Sequence, residues 1–182
     1  MKRILLIVCL ALAGTSLWAQ EFAVSTNVAD YANGGTLNVE ASMGLARHFT
    51  VNAGAKYNPF EYGQGDDLKL LNQRTFSVGS RWWPWYIYSE LWLGVKAQYQ
   101  EFRTGGLRSQ ETREGDRYGG GLAIGYSKLM GKHFNIDVGV GLWGGYEVYT
   151  KYTCQTCGSI VEQSQGPFIL PNDFILGVNY IF

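Results

Sequence analysis

The chain has 182 residues, and its 15 basic and 15 acidic side chains give a net charge of zero at pH 7. That balance provides no basic surface for a polyanion, so a nucleic-acid partner is not expected. Charged residues make up 16% of the chain, below the roughly 25% usual in soluble domains, and aromatic residues reach 15%. This composition, which includes 24 glycines, suits a sheet whose outer surface does not face water.

The first 19 residues are predicted to be a secretory signal peptide. Lys2 and Arg3 precede an apolar run over residues 4–13, and small residues then lead to Ala19, after which cleavage is expected. Residues 20–182 are expected to form one domain. No stretch of that domain approaches the roughly 20 consecutive apolar residues that a membrane-spanning helix requires.

Alternation with a period of two dominates the domain, and the helical period is nearly absent. Leu37, Val39 and Ala41, for example, alternate with Asn38 and Glu40. Eight strands are predicted in this way, at residues 22–29, 36–45, 49–57, 73–82, 87–99, 118–128, 134–150 and 173–182. The predicted fold is all-β, an eight-stranded antiparallel transmembrane β-barrel with the strands in up-and-down order.

The connections between these strands point to a membrane. Tight turns are predicted at residues 46–48, 83–86 and 130–133, and long polar loops follow strands three, five and seven. Transmembrane barrels have short periplasmic turns and longer outer loops, with an apolar face turned to lipid and a polar face turned inward. We therefore expect an outer-membrane protein surrounded by lipid, with surface-exposed loops. A secreted soluble sandwich is the competing fold, and it requires Leu37 and Val51 to meet in a dry centre.

Charged residues occupy the second, polar face of the predicted strands. They are Glu40, Lys56, Glu90, Lys96, Asp137 and Glu147. In the interior of a barrel these side chains must pair with one another or with water, because an unpaired buried charge is very costly. The interior of an eight-stranded barrel is just wide enough for side chains. A hydrogen-bonded plug is therefore expected instead of an open pore.

Aromatic residues cluster at the turn between the fourth and fifth predicted strands. Trp82, Trp83, Trp85 and Tyr86 stand there within five positions. One hypothesis is a platform on which carbohydrate stacks. At a turn between two membrane strands, however, such a cluster is more typical of an interface girdle that anchors the barrel. We predict a girdle.

Cys154 and Cys157, in the sequence CQTCG, are the cysteines of the expected mature chain. Because disulfides persist in exported proteins, a structural disulfide that pins the last long loop is predicted. A redox pair, half of a metal site and free thiols are the alternatives. The redox hypothesis lacks a thioredoxin-like strand and helix that would lower a thiol pKa, and the metal hypothesis lacks two further ligands. Neither a cofactor nor a metal is expected.

His48 and His133 invite a catalytic hypothesis, because some small outer-membrane barrels resemble enzymes that modify lipid A. Such chemistry needs a nucleophile and a base within hydrogen-bonding reach, presented toward the outer leaflet. Both histidines instead lie in tight turns expected on the periplasmic side, beside Phe49 and Phe134. They are interpreted as interfacial polar residues, and neither a catalytic residue nor enzymatic activity is expected.

The last predicted strand ends in ILGVNYIF. Gly177, Tyr180 and Phe182 in this segment resemble the signal by which outer-membrane barrels are recognised for insertion. The resemblance implies the barrel assembly machinery as a partner. It departs from the usual pattern at Ile175, where a polar residue is more common.

Longer segments resemble one particular family. The segments GGGLAIGYSKLMGKHFNIDVGVGLW, YTKYTCQTCG, GPF and YSELWLG are similar to the Bacteroidota family known as domain of unknown function 3575, DUF3575. The resemblance implies a small outer-membrane barrel, some members being encoded beside fimbria-like surface systems, and it carries no activity. The expected function is a structural or surface-interaction role, with an envelope or fimbrial protein as partner. A lipid-modifying barrel enzyme and a narrow channel are the alternatives.

Overall fold

The computed structural model describes residues 21–64, 68–106, 111–154 and 159–182. The predicted signal peptide lies outside these residues. Within them the one helix, α1, spans Val28–Ala32, and the side chain of Asn27 caps it by accepting a hydrogen bond from the amide of Ala29 at 3.3 Å. No helix of the described chain has the length and apolar character that crossing a membrane requires.

The rest of the described chain is an antiparallel sheet. Its strands are β1 Phe22–Asn27, β2 Leu37–Ala46, β3 Phe49–Asn58, β4 Glu61–Tyr62, β5 Lys69–Trp82, β6 Glu90–Gly105, β7 Thr112–Met130, β8 Phe134–Tyr152 and β9 Ile160–Ile181. Consecutive strands pair with one another, apart from β4, which pairs only with the outer end of β5. β3 pairs with β5 and β1 pairs with β9, so eight strands close into a ring.

The register is staggered around this ring. The register partners can be followed from Ser25 of β1 through β2, β3 and each later strand, and they lead to Phe168 of β9. The direct partner of Ser25 on β9 is instead Asn179. One intervening residue belongs to a β-bulge opposite Gly141 and Leu142, which leaves a stagger of about ten residues. With strands about 4.8 Å apart and a rise of about 3.3 Å per residue, this stagger tilts the strands by roughly 40°.

The apolar face of every ring strand lies on the outside. Leu37 is 47% exposed, Leu93 is 42% exposed and Val138 is 56% exposed. Val51 is partly buried on the same face. The predicted inversion, with apolar side chains outside and polar ones inside, is confirmed, and the sandwich alternative is wrong.

The strands differ in length far more than the sequence predicts. β1 has 6 residues and β2 has 10, whereas β8 has 19 and β9 has 22. The long strands run past the ring at the end of the long loops. We call this part the extension; it comprises residues 69–73, 100–105, 112–117, 147–152 and 160–166. The sequence predicted loops over most of it, and that prediction was wrong because these residues continue the sheet.

Candidate functional site

The connection between β5 and β6, residues 83–89, folds into the short-turn end of the ring. Trp83 is fully buried there, and its ring centroid lies 5.8 Å from that of Tyr88 and 6.3 Å from that of Trp92. The indole Nε1 of Trp83 donates a hydrogen bond to Thr50 Oγ1 at 3.1 Å. Trp83 therefore closes the interior and does not belong to the predicted outer girdle, because the turn carries it inward.

We call the cluster of Trp83, Tyr88 and Trp92 the plug. The backbone is strained at two positions in and beside it. Tyr88 has φ = 60° and Glu90 has φ = 62°, a left-handed conformation that costs residues other than glycine roughly 1–3 kcal/mol. Packing fixes it, since Tyr88 is buried and its hydroxyl lies 3.0 Å from Ser42 Oγ. Burial also raises the pKa of Tyr88, which keeps the hydroxyl protonated and able to donate. Glu90 was predicted inside the ring but is exposed, because it lies at the very start of β6.

Arg81 lies at the centre of the ring. Its guanidinium contacts Glu40 at 2.6 Å and Asp137 at 3.0 Å, and it sits 4.5 Å above the ring of Trp92. Arg81 is on β5, Glu40 on β2 and Asp137 on β8, and these strands are not neighbours in the ring. The two ion pairs therefore cross the interior and tie opposite walls together.

Further polar contacts surround this triad. Asn52 Nδ2 donates to Glu40 Oε2 at 3.1 Å, the hydroxyl of Ser127 donates to Asp137, and Lys56 pairs with Asp30 of α1 at 2.9 Å. Apart from Ser127, these residues line a cavity of about 90 Å³ together with Lys96. A space of this size holds a few water molecules.

A second charged layer lies nearer the long-loop end. Glu147 accepts hydrogen bonds from Arg117 at 2.7 Å and from Arg113 at 3.3 Å. The Arg117 guanidinium also stacks on Phe102, 3.7 Å from the ring centroid. Of the six charged residues predicted inside the ring, Glu40, Lys56, Asp137 and Glu147 are thus in ion pairs, and Lys96 lines the cavity.

Aromatic side chains border the outer apolar face at both ends. At the short-turn end the exposed residues are Trp82, Trp85, Tyr86, Phe22, Phe49, Phe134 and Phe182. At the other end they include Tyr99 and Tyr118, which are register partners, and Tyr57. The stretch from Phe134 to Tyr146, the β8 partner of Tyr118, rises about 40 Å along the strand and about 30 Å along the ring axis. We call this outer surface the apolar belt.

The outer face changes character directly beyond the belt. Glu101 and Asp116, which follow Tyr99 and Tyr118 on the same face, are register partners, and both are exposed. The hydroxyl of Tyr99 donates to Asp116 Oδ1 at 2.8 Å. On β6 and β7 the extension therefore presents charged side chains where the belt presents apolar ones.

Both histidines lie at the short-turn end. His48 Nδ1 is 3.0 Å from the carbonyl oxygen of Trp83, and His133 Nδ1 is 2.9 Å from that of Ile181. Cys154 is half-buried just after β8, whereas Cys157 lies outside the described residues, so the disulfide stays a prediction. Among the described residues, no group of three or more His, Cys, Asp or Glu side chains could hold a metal ion.

The residues of the predicted assembly signal lie at the end of β9. Tyr180 and Phe182 point outward, and their ring centroids are 4.9 Å apart in an edge-to-face arrangement. Tyr180 also meets Phe134 edge-on at 5.3 Å. Gly177 is buried on the inner face. Recognition of these residues by an assembly machinery stays a prediction.

One feature that the sequence analysis missed is an unpaired edge of β9. β1 pairs with β9 only as far as Gly177. Next, the side chain of Asn27 replaces a strand, since its Nδ2 donates to the Phe174 carbonyl at 2.9 Å and its Oδ1 accepts from the Leu176 amide at 2.8 Å. Beyond Phe174, no strand among the described residues pairs with this edge. The prolines at 167 and 171 were the signal that could have revealed this edge, because proline within a strand is found almost only where its nitrogen faces no partner strand.

No curated protein matches the chain. The family described as protein of unknown function (DUF3575) matches residues 4–182, and the protein therefore belongs to that family.

Proposed function

We propose that the ring is a β-barrel in the outer membrane of a Bacteroidota cell, where it acts as a closed platform for a surface partner. The observation that carries this proposal is the inverted arrangement of the ring. An apolar belt with aromatic borders faces outward, and ion pairs fill the inside. Outer-membrane barrels have this distribution, with an apolar band about 25 Å tall between two aromatic girdles.

The belt supports a lipid environment on energetic grounds. Leu122 is 68% exposed, Ile169 is 79% exposed and Phe174 is 67% exposed, within a surface that continues around the ring. Soluble monomers rarely expose contiguous apolar patches above a few hundred Å². Lipid removes that cost, and closure of the ring satisfies the backbone groups that lipid cannot hydrogen-bond, apart from the edge of β9 beyond Phe174, where Pro167 and Pro171 reduce the number of unpaired donors.

The interior supports a structural role in preference to a channel. The plug of Trp83, Tyr88 and Trp92 closes one end, and the Arg81 triad crosses the middle. The cavity around this triad is about 90 Å³. Because its charged groups are engaged with one another, we propose that the interior stabilises the barrel and that the partner binds at the long-loop end, as a component of a fimbria-like or envelope assembly.

Assembly tests the membrane proposal most directly. In cells that express the full chain, we expect the protein in the outer-membrane fraction, with migration on a denaturing gel that changes on heating. The double variant Tyr180→Ala/Phe182→Ala should lose that heat-modifiable form. Val148→Ala, on the outer face of the extension, is the matched control and should assemble normally. Normal insertion of the double variant would contradict the assembly signal, and a protein that is soluble without detergent would contradict the membrane location.

Conductance separates the platform from a narrow channel. In a planar lipid bilayer we expect the purified protein to be silent, because the plug and the triad block the interior. A steady conductance that rises in Trp83→Ala would favour the channel instead.

A further inference from the structure

Alternate residues of β9 direct their backbone groups to opposite sides. The amide of Ile181 donates to the His133 carbonyl at 2.7 Å, on the side of β8, whereas the amide of Phe182 donates to the Phe22 carbonyl at 2.9 Å, on the side of β1. Phe174 and Leu176 follow the pattern of Phe182, since both bond Asn27. The even-numbered residues in this part of β9 therefore face the side of β1.

The β-bulge at residue 172 reverses this parity. Leu142 pairs with Pro171 while Gly141 pairs with Asp173, so the extra residue shifts the alternation by one. The odd-numbered residues from 163 to 171 then direct their backbone groups to the unpaired edge. They are Gln163, Gln165, Pro167, Ile169 and Pro171. Proline has no amide hydrogen, so two of these five positions offer no donor.

The two prolines lie where pairing would be harmful. Pro167 is the register partner of Tyr146 at the upper border of the belt, and Pro171 is within the belt beside Ile169. Proline on a strand edge blocks pairing with another chain, and it also leaves fewer donors exposed to lipid. Within the belt the edge is therefore built to remain single.

The same edge is different in the extension. Residues 160–166 contain no proline, and the amides and carbonyls of Gln163 and Gln165 face the open side. The side chains of Gln163 and Gln165 are exposed and polar, as expected above the belt. Ile160 and Val161, more than half exposed, end the strand at a second β-bulge, where Lys151 pairs with Glu162 and Tyr152 with Ile160. An edge of this kind is a template for an added strand.

We propose that residues 160–166 bind an extended segment of a different protein, which adds to β9 as a further strand. This inference rests on the proposed function, in which the extension stands outside the membrane. Gly166 points inward, and a Cβ built on it meets nothing within 4 Å. A large apolar or aromatic side chain of the added strand fits that space beside Phe168, as aromatic residues do next to edge glycines elsewhere. Polar side chains of the same strand lie next to Gln163 and Gln165.

A second copy of this chain does not fit the edge. Two β9 edges join antiparallel in one continuous sheet only when the two-fold axis is perpendicular to that sheet. The axis then lies in the plane of the membrane and turns the second barrel upside down. Copies inserted in the same direction cannot meet this condition, so a two-fold β9–β9 dimer is excluded, and the occupant that we infer is another protein that approaches from the long-loop side.

Site-specific crosslinking in living cells tests the inference. The photoreactive residue p-benzoylphenylalanine replaces Gln163, and irradiation should give one covalent adduct with a protein other than this chain. Adding Gln165→Pro removes a donor from the open edge and leaves the pairing with β8 intact, so the yield should fall about tenfold. Adding Gln165→Ala keeps the donor and should keep the yield.

A second variant protects the test against misfolding. Gly166→Leu fills the inward space that the partner side chain would occupy, and it should lower the yield about threefold while the barrel still shows heat-modifiable migration. An adduct made only of this chain, no adduct, or equal yields from Gln165→Pro and Gln165→Ala would overturn the inference. Outer-membrane fractionation of the same cells reports separately on the barrel, so failure of the proposed function is recognised independently.

Discussion

The ring at the level of the belt and the extension are built from the same strands but present different outer faces. On β7, Leu122 and Ile124 point outward within the belt, whereas Glu114 and Asp116 occupy the same face in the extension. The inner face carries paired charges at both levels, with Asp137 at one level of β8 and Glu147 at another. Only the outer face therefore changes from apolar to charged between the two regions, as the proposed membrane location requires. On the inner face the charged residues pair with one another in both regions.

The largest expected effect is the loss of the cation at the centre of the ring. Arg81→Ala leaves the carboxylates of Glu40 and Asp137 without their partner, and the Asp137 side chain is only 2% exposed. Breaking a buried pair in this way costs about 3–5 kcal/mol. The free energy of unfolding, measured by urea titration in lipid vesicles, should fall by that amount.

Arg74→Ala is the matched control on the same strand. Arg74 points outward, its side chain is 63% exposed, and its distance to Glu101 is 3.7 Å. An exposed pair of this kind contributes about 0–1 kcal/mol, so the control should be close to the unmodified protein. Equal losses in Arg81→Ala and Arg74→Ala would show that the central triad does not hold the ring together.

How much the sequence could predict follows from this contrast between belt and extension. The period of two is fixed by the pleat, so the alternation alone was enough to place Leu37, Leu93 and Val138 on one face. In the extension the alternation is between charges: Arg113 and Arg117 point inward, and Glu114 points outward. A pattern based on hydrophobicity does not detect such a strand, and a loop was therefore predicted.

The candidate site was predictable only in part. The alternation of side chains along each strand placed Glu40, Asp137 and Glu147 inside. Arg81, the partner of Glu40 and Asp137, was not singled out, because pairing across the ring depends on the stagger of eight strands. Trp83 was misplaced for a local reason. The period of the strand ends at Trp82, and the direction of the next side chain depends on the fold of the turn.

The second prediction introduces a charge into each of the two regions. Ile124→Arg places a cation at the middle of the belt, where in the proposed membrane location lipid raises the cost to about 2–4 kcal/mol. Gln165→Arg places the same side chain on the outer face of the extension, where water solvates it, and it should change the free energy of unfolding by less than about 0.5 kcal/mol. Unfolding in lipid vesicles measures both. Equal costs would mean that belt and extension face the same solvent.

The third prediction compares two glycines of the inner face. A Cβ on Gly125 would lie 2.4 Å from the indole of Trp92 and 2.7 Å from the Val138 carbonyl oxygen, whereas a Cβ on Gly166 meets nothing within 4 Å. Gly125→Ala should therefore destabilise the protein by about 1–3 kcal/mol through overpacking. Gly166→Ala should be nearly neutral. If thermal unfolding in detergent places both variants at the same midpoint, the plug does not pack as tightly as described.

The smallest expected effect is at the edge of β9 within the belt, where Asn27 bonds β9 in place of a strand. Asn27→Ala removes the acceptor of the Leu176 amide and the donor of the Phe174 carbonyl, and a local loss of about 1 kcal/mol corresponds to roughly fivefold faster amide exchange at Leu176. Asn27→Asp keeps the acceptor and should leave exchange at Leu176 slow. The amide of Ile181, which bonds His133 in the closed part of the ring, should exchange at the same rate in all three proteins. If Ile181 exchanged faster together with Leu176, the edge at Asn27 would not open independently of the β1–β9 pairing, and the two would form a single cooperative unit.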